Sequence, residues 1–189
     1  DPVANGRHRT SFNRGLFVRD LSGKTVTTIA IPEGSRLMGG RWSHTSRHFA
    51  YTLLTDSGTS LWVVPVADPT QAMLISNRIS SVLTSGYSFS PDGASVIVTE
   101  VPSGRGAPPV MPKVPTGPST RETSGSATPL RTYQDLLSNR HDEALFGHYA
   151  TSEIHRVDLT TGERTRIGKP DLYRSISPSP DGQHLLVTT

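Results

Sequence analysis

Short apolar runs separated by turn residues fill most of the chain. One segment occurs three times without gaps: an aromatic or apolar position, a turn of four residues, and then a run of mostly apolar residues, at positions 42–52, 89–99 and 178–188. In the last two copies the turn is Ser-Pro-Asp-Gly. Proline fixes φ at its second position, aspartate supplies local hydrogen bonds, and glycine accepts a positive φ. Each copy therefore predicts a β-hairpin.

A second pattern accompanies these hairpins. Apolar runs that end in an Asp- or Gly-containing turn lie at 16–25, 61–69 and 154–163, and they predict a third and a fourth strand for each unit. A unit of four strands with a period of roughly 40–50 residues is typical of a β-propeller blade. A β-sandwich is the alternative, but sandwiches do not repeat one turn motif at fixed spacing.

The predicted fold is therefore all-β, a partial propeller of about three blade-equivalents that covers residues 1–189. The chain is expected to open with the last two strands of one blade. A complete blade follows at about 37–76, an interrupted blade at about 85–168, and then half of another. Three blade-equivalents cannot close a ring, so we expect either a longer natural chain or an assembly of several copies.

The interruption is an insertion over residues 102–150. Residues 102–129 hold seven prolines among Gly, Ser and Thr, which favours an extended or disordered loop. The following stretch, 132–146, has apolar positions at helical spacing and predicts two short helices at about 132–138 and 141–146. Their apolar faces need a docking surface, which the edge of a blade or another domain could provide.

Composition narrows the possible partners. The 189 residues carry a net charge of +3 with a sequence pI near 9.5, but the basic residues are scattered, so we expect no nucleic-acid partner. The absence of cysteine excludes disulfides and cysteine-ligated metals. No apolar run approaches the roughly 18 residues of a membrane helix, so we expect no membrane partner. No cofactor is expected.

The blades and the insertion together resemble a known family. The hairpin at 89–93 and the insertion segments 131–137 and 141–146 look like the propeller of glutamyl endopeptidases, a branch of the prolyl oligopeptidase family of serine peptidases. The resemblance implies a seven-bladed propeller over an α/β-hydrolase domain with a Ser/Asp/His triad, and cleavage after acidic residues. The chain has no Gly-x-Ser-x-Gly nucleophile elbow, so it contains no catalytic residue of that chemistry.

Several polar residues are candidates for a functional site. A peptidase that selects acidic side chains needs a guanidinium near its cleft, which makes Arg121, Arg131 and Arg140 candidates for substrate binding, although arginines solvated at the surface would look the same. Asp92 and Asp181 occupy equivalent turn positions, so we assign them to the turn.

No metal site is predicted at either of two histidine-containing groups. His44 and His48 are four residues apart, which would align them on a helix, but here they fall across a turn into a strand. In the group of His141, Asp142, Glu143 and His148, acidic residues are favoured by the start of a helix, and the histidine pair has no third partner at useful spacing.

The leading hypothesis is a propeller part of a glutamyl endopeptidase-like serine peptidase that gates peptide substrate, with the remaining blades or the hydrolase domain as its partners. A propeller that binds another protein without catalysis is the second hypothesis, with the insertion as its docking arm. A propeller that binds a small molecule at the channel mouth is the third. The resemblance implies a secreted or periplasmic bacterial protein, or alternatively a chloroplast one.

Overall fold

The computed structural model describes residue 13, residues 15–112, residue 137 and residues 139–189. These residues form twelve strands and one helix. In chain order they are β1 (Leu16–Arg19), β2 (Val26–Ile29), β3 (Arg36–Trp42), β4 (His48–Thr55), β5 (Gly58–Pro65), β6 (Met73–Ser76), β7 (Tyr87–Phe89), β8 (Ser95–Glu100), α1 (Arg140–Ala150), β9 (Ser152–Asp158), β10 (Arg164–Asp171), β11 (Ser175–Pro178) and β12 (Leu185–Thr188).

The strands form four antiparallel sheets in chain order. A first half-blade (β1–β2) precedes a first full blade (β3–β6), a second full blade (β7–β10) and a second half-blade (β11–β12). The full blades span residues 36–76 and 87–171, within three residues of the predicted bounds. This arrangement confirms the predicted all-β partial propeller.

Apolar side chains on both faces of each full blade are buried between neighbouring sheets. Alternate residues of β4 point in opposite directions, as the pleat requires. Ala50 therefore packs between the two full blades, whereas Tyr51 and Leu53 pack against the first half-blade. On the second full blade, Val96 and Val98 face the first full blade, and Ile97 faces the second half-blade. Each sheet therefore stabilises its neighbours mainly by hydrophobic burial.

Antiparallel pairing gives every blade two distinct ends. Connections within the first and the last strand pair of a blade lie at one end, which we call the turn end. The connection between the second and third strands lies at the opposite end, together with the segments that join successive blades. We call this the insertion end, because the insertion leaves β8 and returns to β9 there.

The repeated hairpin turns have the hydrogen bonds that their sequence predicts. Ser90 Oγ accepts from Ser95 N at 3.0 Å, and Asp92 Oδ1 accepts from Ala94 N at 3.0 Å, while Gly93 adopts a φ of 68°. In the first copy Ser46 stands at the position of Gly93, and it takes the same left-handed conformation with φ 57°. Backbone geometry is thus conserved between these two turns although the residues differ.

The insertion differs in detail from its prediction. The predicted helix at 132–138 lies outside the described residues apart from Leu137, as does most of the proline-rich loop; residues 101–112 contain no strand or helix. The second predicted helix corresponds to α1, which begins one residue earlier than expected and continues to Ala150. It passes Gly147 because that glycine keeps helical backbone and its carbonyl accepts from Thr151 N at 3.1 Å. A helical glycine weakens a helix by about 1 kcal/mol without ending it.

Candidate functional site

The three predicted substrate-binding arginines are only partly placed. Arg121 and Arg131 lie outside the described residues. Arg140 is the first residue of α1, and its side chain is exposed. The preceding residue, Asn139, caps the helix: its Oδ1 accepts from Asp142 N at 3.0 Å. Asp142 is thus part of a cap at one end of α1 while His148 lies in its last turn, so the acidic and histidine residues of α1 do not converge on one point.

Buried charges gather instead at the insertion end, between the two full blades. Glu100 and Glu153 are Cα partners at the adjoining ends of β8 and β9, and they are 1% and 3% exposed. Two arginines and a histidine surround their carboxylates. We call the five residues the interblade ion cluster: Arg78, Glu100, Glu153, His155 and Arg164.

Arginine side chains neutralise both carboxylates of the interblade ion cluster. Arg164 Nη2 lies 2.7 Å from each carboxylate oxygen of Glu100, and its Nη1 donates to the carbonyl of Ile75 at 2.8 Å. Arg78 Nη2 donates to Glu153 Oε1 at 2.7 Å and lies 3.4 Å from Glu100 Oε2. Because Ile75 lies on β6 and Arg164 on β10, these contacts connect the outer strands of the two full blades.

The cluster also contains three side chains of the types that bind metal ions. Single ligand atoms of Glu100, Glu153 and His155 lie within 4.8 Å of one another. His155 Nδ1 approaches Glu100 Oε2 at 2.9 Å without hydrogen-bond geometry. However, a cation here would have to displace guanidinium groups that already sit 2.7 Å from the carboxylates. The arrangement therefore fits an ion network between blades and does not fit a metal centre.

Alignment of the two full blades shows which residues of the first full blade occupy the positions equivalent to the cluster. By hairpin repeat and strand register, Glu100 corresponds to Leu53, Glu153 to Ser60, and His155 to Trp62. Leu53 is 1% exposed in an apolar interface. The residues of the interblade ion cluster were not predicted from the sequence, although a glutamate at the repeat position of an apolar leucine is a detectable signal of such a cluster.

The cluster holds the start of the insertion in place. Glu153 Oε1 accepts from Ser103 N at 3.2 Å, and Val101 N donates to the carbonyl of Arg78 at 2.9 Å. Pro102 continues this path, because its carbonyl accepts from Arg105 N at 3.1 Å and closes a turn. The segment that follows β8 is therefore fixed to the blade by both backbone and side-chain contacts.

Beside this anchored segment lies a groove of about 550 Å³, which we call the insertion groove. Its walls come from the segment after β8, the end of α1, and strands β9 and β10. The lining residues are Pro102, Ser103, Gly104, Arg105, Gly106, Gly147, His148, Thr151, Glu153, Arg166 and Pro170. Three of them are basic in type, and the single acid, Glu153, is already bound by Arg78.

Burial lowers the pKa values of two basic residues in the insertion groove, and the repulsion between Arg105 and His148 lowers that of His148 further. The guanidinium carbon of Arg105 lies 5.5 Å from the ring centroid of Tyr149, and partial burial lowers the pKa of Arg105. Burial also lowers the pKa of His148, and the positive charge of Arg105 lowers it further. His148 is therefore neutral at pH 7, and Arg105 and Arg166 carry the positive charge of the groove.

A gap of about 690 Å³ lies between the second full blade and the second half-blade. Its walls include both Ser-Pro-Asp-Gly turns. Asp92 and Asp181 are committed there to their own turns, where each accepts from a serine hydroxyl and from a backbone N–H. These hydrogen bonds lower the pKa of both carboxyls, the serine contact being the main cause. The gap is thus the space between two neighbouring sheets, and Asp92 and Asp181 have the turn role that the sequence predicts.

No helix among residues 139–189 or in the earlier described ranges has the length and apolar character needed to span a bilayer. No family model matches the chain.

Comparison with known proteins gives two curated relatives and a shared fold. "Probable glutamyl endopeptidase, chloroplastic" from Oryza sativa subsp. japonica is 32% identical over 203 residues, and the protein of the same name from Arabidopsis thaliana is 33% identical over 206. Both alignments include 100% of this chain, which spans only 21% of the length of either relative.

Among solved structures, a chain from a study of two prolyl endopeptidases superposes with a TM-score of 0.51 at 14% identity, covering 97% of this chain and 24% of that one. At this identity the likeness concerns the fold alone. The two curated relatives confirm the resemblance stated from the sequence.

Proposed function

We propose, from the relationship of this chain to the glutamyl endopeptidases of the prolyl oligopeptidase family, that it supplies blades to a propeller that gates peptide access to a serine peptidase domain. That domain lies outside these 189 residues, in which no nucleophile elbow occurs. The observation that carries the proposal is the alignment of the whole chain with about a fifth of each relative. A segment of this size matches a share of a propeller, and its fold supports that assignment.

Gating follows from how blades surround a channel. The first strand of each blade lies nearest the propeller axis, so β3, β7 and β11 would form part of the channel wall. Arg41 on β3 is exposed, and its guanidinium carbon lies 5.3 Å from the ring centroid of Tyr87 on β7. A positive charge held on the channel wall favours the passage of acidic peptides over basic ones.

Arginine residues of the insertion are candidates for contact with the acidic side chain of a substrate. Arg121, Arg131 and Arg140 stay in this proposal because a guanidinium can form paired hydrogen bonds with a carboxylate. Arg140 is exposed at the start of α1, where a peptide or the hydrolase domain could reach it. The chain's role is thus to select and orient substrate, whereas acyl transfer takes place on the other domain.

The compartment is part of the proposal. Both relatives are named as chloroplastic, which supports the chloroplast alternative over a secreted or periplasmic bacterial protein.

An antibody raised against the 189-residue chain tests the proposal. It should capture from source extract a protein several times heavier than 20.4 kDa that cleaves a quenched peptide after Glu. A matched peptide with Gln at that position should resist cleavage, and a fluorophosphonate should abolish the activity. Capture of a 20.4 kDa protein without peptidase activity would contradict the proposal and favour a binding propeller that uses the insertion as its docking arm.

A further inference from the structure

A pocket of about 230 Å³, which we call the inner pocket, lies between the two full blades. Its walls are residues 38–41 of β3, two threonines on β4 and β5, and part of the segment 79–87 that leads from β6 into β7. Four residues of this lining are buried, namely Thr52, Thr59, Ile79 and Tyr87. The inner pocket therefore reaches into the interface between the blades.

Thr52 lines this pocket with a hydroxyl group that has no partner. The residue is 8% exposed, and its hydroxyl makes no hydrogen bond within the part of the chain that the structure describes. Gly39 is the Cα partner of Thr52 on β3, and facing residues of an antiparallel pair lie on the same side of the sheet. Because Gly39 has no side chain, the space beside the Thr52 side chain stays open.

The equivalent threonines of the other blades have hydrogen-bond partners. The repeat aligns Thr52 with Thr99 and Thr188. Thr99 Oγ1 lies 2.7 Å from Thr84 Oγ1, and Thr188 Oγ1 lies 2.7 Å from Ser175 Oγ. Buried hydroxyl groups are normally hydrogen-bonded. The Thr52 hydroxyl therefore needs a partner that none of the described residues supplies.

Arg41 gives the inner pocket its charge. It lies two residues after Gly39 on β3, so it is diagonal to Thr52 on the same side of the strand pair, within reach of a long side chain. Its guanidinium carbon lies 5.3 Å from the ring centroid of Tyr87, which also lines the pocket. Among the described residues, Arg41 forms no ion pair, and none of those that line the pocket is acidic. A positive charge and a hydroxyl group thus face the same space.

We propose that the inner pocket binds a tetrahedral oxoanion of the phosphate type, with the Arg41 guanidinium and the Thr52 hydroxyl as hydrogen-bond donors. An anion with several acceptor oxygens can bind both donors at once. A volume of about 230 Å³ admits such an ion with part of its hydration shell, because one water molecule occupies about 30 Å³. The ligand is free phosphate or the phosphoryl group of a small molecule. This inference rests on the pocket and is independent of the proposed function.

Titration calorimetry of the 189-residue chain with inorganic phosphate tests the proposal. We expect one saturable site, and at least about tenfold weaker binding of sodium acetate at equal ionic strength. Methyl phosphate distinguishes the two sources: it should bind as tightly as phosphate if the ligand is a phosphoryl group, and about tenfold more weakly if the ligand is free phosphate. The absence of a saturable phosphate site, or tighter binding of acetate than of phosphate, would overturn the proposal.

Two valine substitutions separate a binding hydroxyl from a structural one. Thr52→Val should weaken phosphate binding about tenfold and leave the midpoint of urea denaturation in phosphate-free buffer unchanged, because the Thr52 hydroxyl has no internal hydrogen bond to lose. Thr99→Val is the matched control at the equivalent position of the second full blade. It should leave phosphate binding unchanged and lower the midpoint, because the Thr99 hydroxyl loses its hydrogen bonds.

Arginine substitutions test the charge of the pocket. Arg41→Gln should weaken phosphate binding about tenfold, while Arg41→Lys should retain part of it. Arg19→Gln, which removes an exposed arginine on β1, is the control and should bind phosphate like the unmodified chain. Circular dichroism checks that each variant is folded. Phosphate binding that is unchanged in both Thr52→Val and Arg41→Gln would place the ion elsewhere and refute the proposal.

Discussion

Glu100 and Glu153 lie directly opposite each other on β8 and β9, and both carboxylates are buried. Two like charges at facing positions of a ladder destabilise a sheet unless cations neutralise them. Arg164 and Arg78 supply those cations from the neighbouring strand and from the connection between blades. The stability of this interface therefore depends on all four residues together.

Removing one member should reveal this dependence. We expect Glu100→Gln to lower the free energy of unfolding by about 1–3 kcal/mol, because Arg164 loses its carboxylate partner while Glu153 stays buried. The loss is limited because the Arg164 side chain is 37% exposed and can turn to solvent. Urea denaturation measures the change. Glu163→Gln, at an exposed turn residue, is the matched control and should change the value by less than about 0.5 kcal/mol.

Replacing the pair together should restore stability. The double variant Glu100→Leu with Arg164→Leu makes the interface resemble the one around Leu53. We expect its free energy of unfolding to lie within about 1 kcal/mol of the unmodified chain, because apolar groups often replace buried ion pairs without loss. A double variant as unstable as the sum of its single variants would show that the charges act independently.

Gly93 and Gly182 provide a matched pair of turn glycines. Both have a left-handed backbone, with φ of 68° and 70°, so alanine at either position should destabilise the chain by about 1–2 kcal/mol. A Cβ at Gly93 would also lie 2.4 Å from Thr45 Oγ1 in the neighbouring turn, whereas at Gly182 the nearest atom is 3.8 Å away.

Gly93→Ala should therefore destabilise the chain by at least about 1 kcal/mol more than Gly182→Ala in urea denaturation. Adding Thr45→Ala should recover that excess, since the contacted hydroxyl is removed. Equal effects of the two glycine substitutions would mean that the turns of adjacent blades do not press on each other.

Acid should weaken the chain through its turn aspartates. The pKa of Asp92 is lowered, first by the Ser90 hydroxyl and then by the Ala94 N–H. A lowered carboxyl pKa in the folded state adds stability above the ordinary aspartate value of about 3.9, and this stability is lost as pH falls through the lowered pKa. Asp92→Asn should therefore reduce the loss of stability between pH 6 and pH 3. Ser90→Ala should raise the pKa of Asp92, which carboxyl NMR titration would detect.

The pKa of His148 should report on the positive charge of the insertion groove. Its pKa is lowered by burial and by the positive charge of Arg105, so protonation is disfavoured in the folded state and stability falls as pH drops below about 6.5. Arg105→Gln should raise the pKa of His148, because it removes the repulsive charge. NMR titration of the imidazole measures it, with Arg19→Gln as the control. A pKa unchanged by Arg105→Gln would show that burial alone sets it.

Repetition made the blades predictable, because turn residues and strand alternation depend on local sequence and recur at a fixed spacing. Glu100 and Arg164 were not recognised, since they lie 64 positions apart and meet only when blades pack. The helix predicted at about 141–146 continues through Gly147 to Ala150, because a glycine stops a helix only where the left-handed cap conformation is adopted. The insertion groove was also not predicted from the sequence, because its walls come from four separate segments.

The facing positions of Glu100 and Glu153 also have a consequence for protein engineering. Paired residues of an antiparallel ladder have Cα atoms only about 4.5–5.5 Å apart, so the long segment departs from and returns to almost the same point. The corresponding strands of the preceding blade are joined by nothing more than the tight turn at Asp56 and Ser57. The connection between β8 and β9 is thus a suitable site for protein engineering. A short turn or another polypeptide module can replace the insertion there while the surrounding sheet keeps its pairing.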